Sequence, residues 1–248
     1  STHGSVTRVA GFTYNPRMTV TTVTPSQGPV GGFNNVDIDG TNFFGNLTVT
    51  IGGNALIGVT VNAGKTRISG TVPAGTSAGP APLVITSDTH GTVQATYTYN
   101  NAPSINALNP ASGPLAGNTQ VDITGSGFGG TIVVKIGATF SSAPAATVQS
   151  VSPDGTLIKI LTPPGVTAGP TNVFVSSSTN GLSTRLNGFT YNSPPQATGI
   201  IPNNGPLAGG NRVEINGTGF FGTINLTFGT TPATVLAVDT AGNTISAL

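Results

Sequence analysis

Cysteine is absent from the chain, which excludes a disulfide framework, a thiolate nucleophile and a cysteine-ligated zinc site. Charge is almost as scarce: 6% of the 248 residues are charged, against about 25% in ordinary soluble domains. Eight Lys and Arg stand against seven Asp and Glu, for a formal net charge of +1, and the basic residues form no cluster. A phosphodiester backbone would find little to hold, so nucleic acid is excluded as a partner. No run approaches the ~18 consecutive apolar residues of a membrane span. The first residues show no basic region followed by an apolar one, so targeting signals were removed or lie outside this piece. A near-zero net charge does little to keep copies apart, which favours self-association.

What is present is glycine, threonine, serine, asparagine and valine, with Val, Ile, Leu and Phe recurring in short alternating runs. Low net charge with such runs marks a chain that folds. The words "PSQGPVGG" from Pro25, "PASGPLAG" from Pro110 and "PNNGPLAGG" from Pro202 set strides of 85 and 92 residues. Tyr14, Tyr99 and Tyr191 keep the same strides, each 11 residues before the next corner proline. Fifteen residues beyond the corner glycine stands Phe43, Phe128 or Phe220, and nine beyond that Gly52, Gly137 or Gly229. The chain is a tandem repeat.

Within one repeat, "SINALNP", "TQVDITGSGF", "TIVVKIGA", "GTLIKILTP", "TNVFVSSS" and "LSTRLNGFTYN" read as strands, with "GPLAGN" as a turn. "SPDG", "TPPG" and "STNG" supply proline-set turns and glycines at positive φ. Turn signals every 8 to 12 residues without helical periodicity predict an all-β sandwich, of the size of an immunoglobulin-like domain.

The succession Pro-x-x-Gly-Pro, Val-Asp-Ile-x-Gly-x-x-Phe, a strand ending Ile-Gly, Thr-Pro-Pro-Gly and a terminal Phe-Thr-Tyr resembles the IPT/TIG family of early-set immunoglobulin-like domains. The resemblance implies β-sandwiches in a row: residues 1–16 the last strand of a preceding unit, 17–100 and 101–192 complete units, and 193–248 a unit without its last two strands. The first unit departs from the pattern in one turn, "VPAG" at Val72–Gly75 in place of "TPPG" at Thr162–Gly165. The terminal units are completed by missing sequence or by strand addition from another subunit. The former is preferred, because exchange of the first strand would still leave no counterpart of residues 162–177.

Candidate chemistry is thin. Gly125–Gly130 satisfies G-x-G-x-x-G, but a strand rather than a helix follows, and the other repeats read "GTNFFG" and "GTGFFG". A tight turn is expected. Asp37, Asp122 and Glu214 share one repeat position between inward apolar residues, with Asp39 beside the first. They are expected as outward charges rather than a calcium site, which needs six or more oxygens. His3 and His90 fall in hairpin turns without a second ligand, and Arg8 and Arg185 on solvated strands. Asn46, Asn216 and Asn225 head N-x-Thr sequons. Phe43, Phe128 and Phe220 read as core, and Phe44, Phe221 and Gly129 as nearer the surface. No base is positioned beside a nucleophile and no carboxylates stand opposed, so no catalytic, cofactor or metal residue is assigned and no cofactor is expected.

Function then belongs to the row. The reading is a non-enzymatic structural segment, a stalk, filament or layer, of an extracellular or surface-assembled bacterial protein. Its junctions carry Pro16, Pro103, Pro194 and Pro195, and its partners are neighbouring repeats or other copies. Two alternatives stand: an adhesin or carbohydrate-binding module with contacts on loops such as Thr139–Pro144 or Phe33–Asn35, and a virion fibre or decoration protein. The partner in the first case is a glycan or a surface protein.

Overall fold

The computed structural model describes residues 11–248, and within them the chain is all strand and turn, with no helix. The first unit contains β1 (Thr19–Thr24), β2 (Gln27–Pro29), β3 (Asn35–Thr41), β4 (Leu47–Ile51), β5 (Asn54–Ala55), β6 (Ile57–Val61), β7 (Arg67–Thr71), β8 (Gly79–Ser87) and β9 (Gly91–Asn100). The second contains β10 (Ser104–Asn109), β11 (Ser112–Pro114), β12 (Gln120–Ser126), β13 (Ile132–Gly137), β14 (Thr147–Val151), β15 (Leu157–Leu161), β16 (Gly169–Ser177) and β17 (Gly181–Asn192). The third contains β18 (Gln196–Ile201), β19 (Val213–Thr218), β20 (Thr227–Phe228), β21 (Thr231–Pro232), β22 (Val235–Val238) and β23 (Thr244–Ala247).

Each of the first two units is two sheets face to face. Sheet orders are β1-β3-β7-β6 and β2-β9-β8-β4-β5 in the first, and β10-β12-β15-β14 and β11-β17-β16-β13 in the second. Period-two alternation explains the pairing of faces. On β3, Val36 and Ile38 are buried while Asp37 and Asp39 point away. Ile38 lies opposite Ile68, as Ile123 lies opposite Ile158. All four are fully buried, each stabilising the fold by about 2 kcal/mol. The facing sheets contribute Leu83, Ile85, Tyr97 and Tyr99 to one core, and Val173, Val175, Phe189 and Tyr191 to the other. Phe43, Phe128 and Phe220 are buried and Phe44 and Phe221 about half exposed, in agreement with the sequence.

The corner is more than a turn. β2 and β11 pair parallel with the ends of β9 and β17, setting Gly28 opposite Tyr99 and Gly113 opposite Tyr191. The tyrosine hydroxyls donate to the carbonyls of Pro73 (2.9 Å) and Pro163 (2.7 Å). The first proline of each corner, Pro25, Pro110 and Pro202, follows a cis peptide bond. Gly32 and Gly117 take φ of 71° and 77°, with the Pro73 and Pro163 backbone where a Cβ would sit. Not every turn glycine is explained by positive φ. Gly155 and Gly181 are (66° and 87°), whereas Gly165 of "TPPG" lies outside that region. It is required because a Cβ there would come 2.6 Å from the Tyr191 ring.

The third unit forms the sheet β18-β19-β23-β22 and the short pair β20-β21. Among the described residues no strand pairs with its corner at residues 203–210. Leu207 stands fully exposed, Phe228, Leu236 and Leu248 are about half exposed, and a groove of about 480 Å³ opens beside Gly205 and Val213.

Burial pushes the Tyr191 phenol up to about 12, above the ~10 of an unfolded tyrosine. The folded state therefore holds a proton that the unfolded chain loses between these values. The stabilisation is complete below pH 10 and declines as pH rises from about 10 to about 12. Denaturant midpoints measured across that window should fall less steeply in Tyr191→Phe than in the parent. In a polypeptide of these 248 residues, hydrogen exchange should show amides of residues 193–248 exchanging well before those of β12, β15 and β16; equal protection would contradict the exposed core of the third unit.

Candidate functional site

The candidate residues from the sequence are placed separately rather than gathered into one centre. Gly127 and Gly130 take positive φ and β13 follows them, a turn into a strand. Arg67 donates from Nε to Asp39 (2.6 Å) and from Nη2 to its second oxygen (2.9 Å), and lies 3.8 Å from Asp37. The Arg67 hydrogen bond holds the Asp39 carboxyl below its ordinary value. Asp122 pairs with Lys159 at 2.7 Å, and Glu214 is exposed on β19. Among the described residues no three His, Asp or Glu side chains converge as a metal site. Asn46 donates its amide to Asp88 (2.8 Å), and Asn216 on β19 and Asn225 are exposed. Phe33 is exposed at a φ of 64°, where Asn118 stands in the second unit. His3 and Arg8 lie outside the described residues.

Two of these residues make contacts that the sequence did not show. Arg185 is exposed yet engaged: its guanidinium donates to the carbonyls of Ile105 (3.1 Å) and Asn106 (2.6 Å), tying β17 to the bulged edge strand of the other sheet. His90 is a turn residue that packs, stacked on Phe44 with centroids 5.3 Å apart and bonded through Nδ1 to the Thr89 hydroxyl (2.8 Å).

That turn belongs to a joint which the chain makes twice. The Asn15 side-chain amide donates to the Thr89 carbonyl (3.1 Å), and Asn100 donates to the Thr179 carbonyl (3.1 Å). In each case the donor is the residue after the repeat tyrosine, Tyr14 or Tyr99, and the acceptor is in the last hairpin turn of the unit that follows. A buried serine shapes the acceptor turn. Ser177 donates to the Gly129 carbonyl (2.6 Å) and accepts from the amides of Thr179 and Asn180. Ser87 does the same with Phe44, Thr89 and His90. Pro29 fills the space where a Cβ on Gly181 would sit, 3.0 Å away.

The second unit also carries a groove. It is seven residues longer than the first, and the structure shows where they go. Five separate Gly137 from Thr147 beyond the spacing of Gly52 from Ile57, and two separate Gly181 from Phe189 beyond that of Gly91 from Tyr97. The five form the loop after β13. The two make a bulge in β17, where the register slips between Thr171 and Val173 and Asn187 takes a φ of 51°. Both insertions meet at Asn172, whose Nδ2 donates to the Ala138 carbonyl (3.1 Å) and whose Oδ1 accepts from the Asn187 amide (3.0 Å). The resulting groove measures about 580 Å³. Its counterpart in the first unit, at Gly52, Gly75–Pro82 and Tyr99, measures about 190 Å³. The sequence singled out Thr139–Pro144 as a loop. Asn172, Asn187 and the joint asparagines were missed, although the 92-residue stride and the repeated Asn15, Asn100 and Asn192 were there to read.

Paired sandwiches with a parallel-paired corner, repeated through one joint, define a tandem array of immunoglobulin-like domains. The IPT/TIG domain model matches residues 18–101, 103–191 and 195–247, and the chain belongs to that family. Human Plexin-B1 is 33% identical over 143 residues, covering 56% of this chain and 7% of the relative. Human Fibrocystin-L is 26% identical over 209 residues, covering 81% of this chain and 4% of the relative. The chain thus spans a small part of the curated relatives it matches. Among solved structures, the Plexin A4 full extracellular region superposes with a TM-score of 0.50 at 18% identity, covering 99% of this chain and 22% of that one. At that identity the likeness is one of fold.

Removing the turn-shaping hydroxyl should be costly locally. Ser177→Ala leaves the Gly129 carbonyl and two turn amides short of a partner, and chemical denaturation should show a loss of about 1–3 kcal/mol. An unchanged midpoint would mean that solvent replaces the serine without penalty.

Proposed function

We propose that the chain is a non-enzymatic structural segment of an extracellular or surface-assembled protein. It spaces or projects what lies beyond it through a row of units at 17–100, 101–192 and 193–248. The single observation that carries this is the recurrent joint: Asn15 to Thr89 and Asn100 to Thr179 use the same atoms at successive boundaries. A spacer needs a reproducible orientation from one unit to the next, and a side-chain bond into a pre-shaped turn supplies it. The extracellular setting draws on membership of the family and on the shared fold of the Plexin A4 extracellular region. The bacterial or virion surface rests on a narrower point, the lack of the cysteines that receptor members of the family commonly carry. In this reading the partners are neighbouring repeats and other copies, and no residue is assigned to catalysis.

The absence of native cysteine makes the test direct. Spin labels on Gln94→Cys in the first unit and Thr184→Cys in the second should give one narrow distance distribution by electron–electron double resonance. The joint is made of neutral groups, so the width should not respond to salt. Asn100→Ala should broaden it without unfolding either unit. A broad distribution in the parent, or one that ignores the loss of Asn100, would show that the units are flexibly tethered and refute the spacer reading.

A further inference from the structure

The groove on the second unit goes beyond the spacer reading, because a spacer does not need it. The first unit folds with the same sheet order apart from the short β5, the same corner and the same joint, and its cavity at the matching position holds a third of that space. We propose that this groove is a binding site for an uncharged, hydroxyl-rich ligand, a short stretch of neutral oligosaccharide.

The chemistry of the walls selects that class. No charged side chain lines the groove, and the two cations near its insertions are committed elsewhere. Lys135 donates to the Phe140 carbonyl (3.0 Å) and lies over the Phe140 ring at 4.8 Å. Arg185 is held by the carbonyls of β10. An anion or a cation would therefore lose its hydration without compensation. Three polar side chains at the walls, Thr167, Thr171 and Asn187, make no hydrogen bond of their own to another described residue and remain available to a ligand's hydroxyls. Pro144, Pro170 and the exposed Val166 give the apolar surface on which the C–H face of a sugar ring packs. The size lies within the range of small-ligand sites.

An extended peptide is the competing occupant, and the edge it would need is closed. Ile136 donates its amide to Pro144, and Ala146 donates to Val134, so the inserted loop already pairs with the outer edge of β13. Strand addition at that edge has no free ladder to join.

Amide chemical shifts of the 248-residue chain, titrated with cellohexaose, maltohexaose and mannohexaose to about 10 mM, read the proposal against a ~1 mM dissociation constant. At least one sugar should produce saturable shifts at residues 138–144, 166–172 and 187, with none at Gly75–Pro82 of the first unit. The variant Asn187→Gly keeps the positive φ while removing the amide, and Thr171→Val keeps the shape while removing the hydroxyl. Together they should weaken binding tenfold or more, with the remaining spectrum unchanged. If no sugar gives saturable shifts there, if the double variant binds as well as the parent, or if a neutral extended peptide shifts these residues while the sugars do not, the oligosaccharide assignment falls. Binding in the groove does not depend on joint rigidity, so failure here would leave the spin-label result standing, and the reverse.

Discussion

One hydrogen bond organises each complete unit: the hydroxyl of the tyrosine near the end of the last strand, donated to the carbonyl of a proline in the opposite loop. Tyr99 to Pro73 and Tyr191 to Pro163 are both buried. Each fixes the loop that must lie close over its ring, which is why Gly75 and Gly165 carry no side chain there. The same strand ends accept the parallel pairing of the corner, Gly28 beside Tyr99 and Gly113 beside Tyr191. One residue further on, Asn100 reaches the neighbouring unit. Core, corner and joint thus depend on a single short stretch, Phe-Thr-Tyr-Asn or Tyr-Thr-Tyr-Asn.

Much of this was legible in the residues. The 11-residue spacing from tyrosine to corner is constant because residues 101–103 or 193–195 and then a strand of equal length, β10 or β18, separate the last strand from the corner proline. The phenylalanine fifteen residues past the corner glycine is constant because it plugs the sandwich at a fixed height, as burial of Phe43, Phe128 and Phe220 shows. Alternation of Val36, Asp37, Ile38 and Asp39 predicted the inward and outward faces of β3 correctly. Local pattern sufficed where the physical constraint was local.

What stayed hidden involves residues distant in sequence. Nothing in "SSAPAAT" or "RLNG" indicates that the two insertions touch; they meet because β13 and β17 flank β16, which places Asn172 between them. The role of Arg185 was hidden for the same reason, as its acceptors lie on a strand of the other sheet some eighty residues earlier. Glycine misled in a smaller way. Composition marks it as a turn residue, but at Gly165 the requirement is the thickness of a tyrosine ring rather than a backbone angle.

The recurrence of the joint has a geometric consequence. Where the same donor atom meets the same acceptor atom twice, at Asn15 and at Asn100, one constraint on the step from unit to unit is repeated. An asparagine, a threonine carbonyl and the serine behind it carry that constraint. Lengthening a loop after β13 or bulging β17 leaves that bond alone, because neither touches the hairpin turn that receives the asparagine. A unit is therefore free to acquire a pocket of its own, as the second has, without disturbing the bond that ties it to its neighbour.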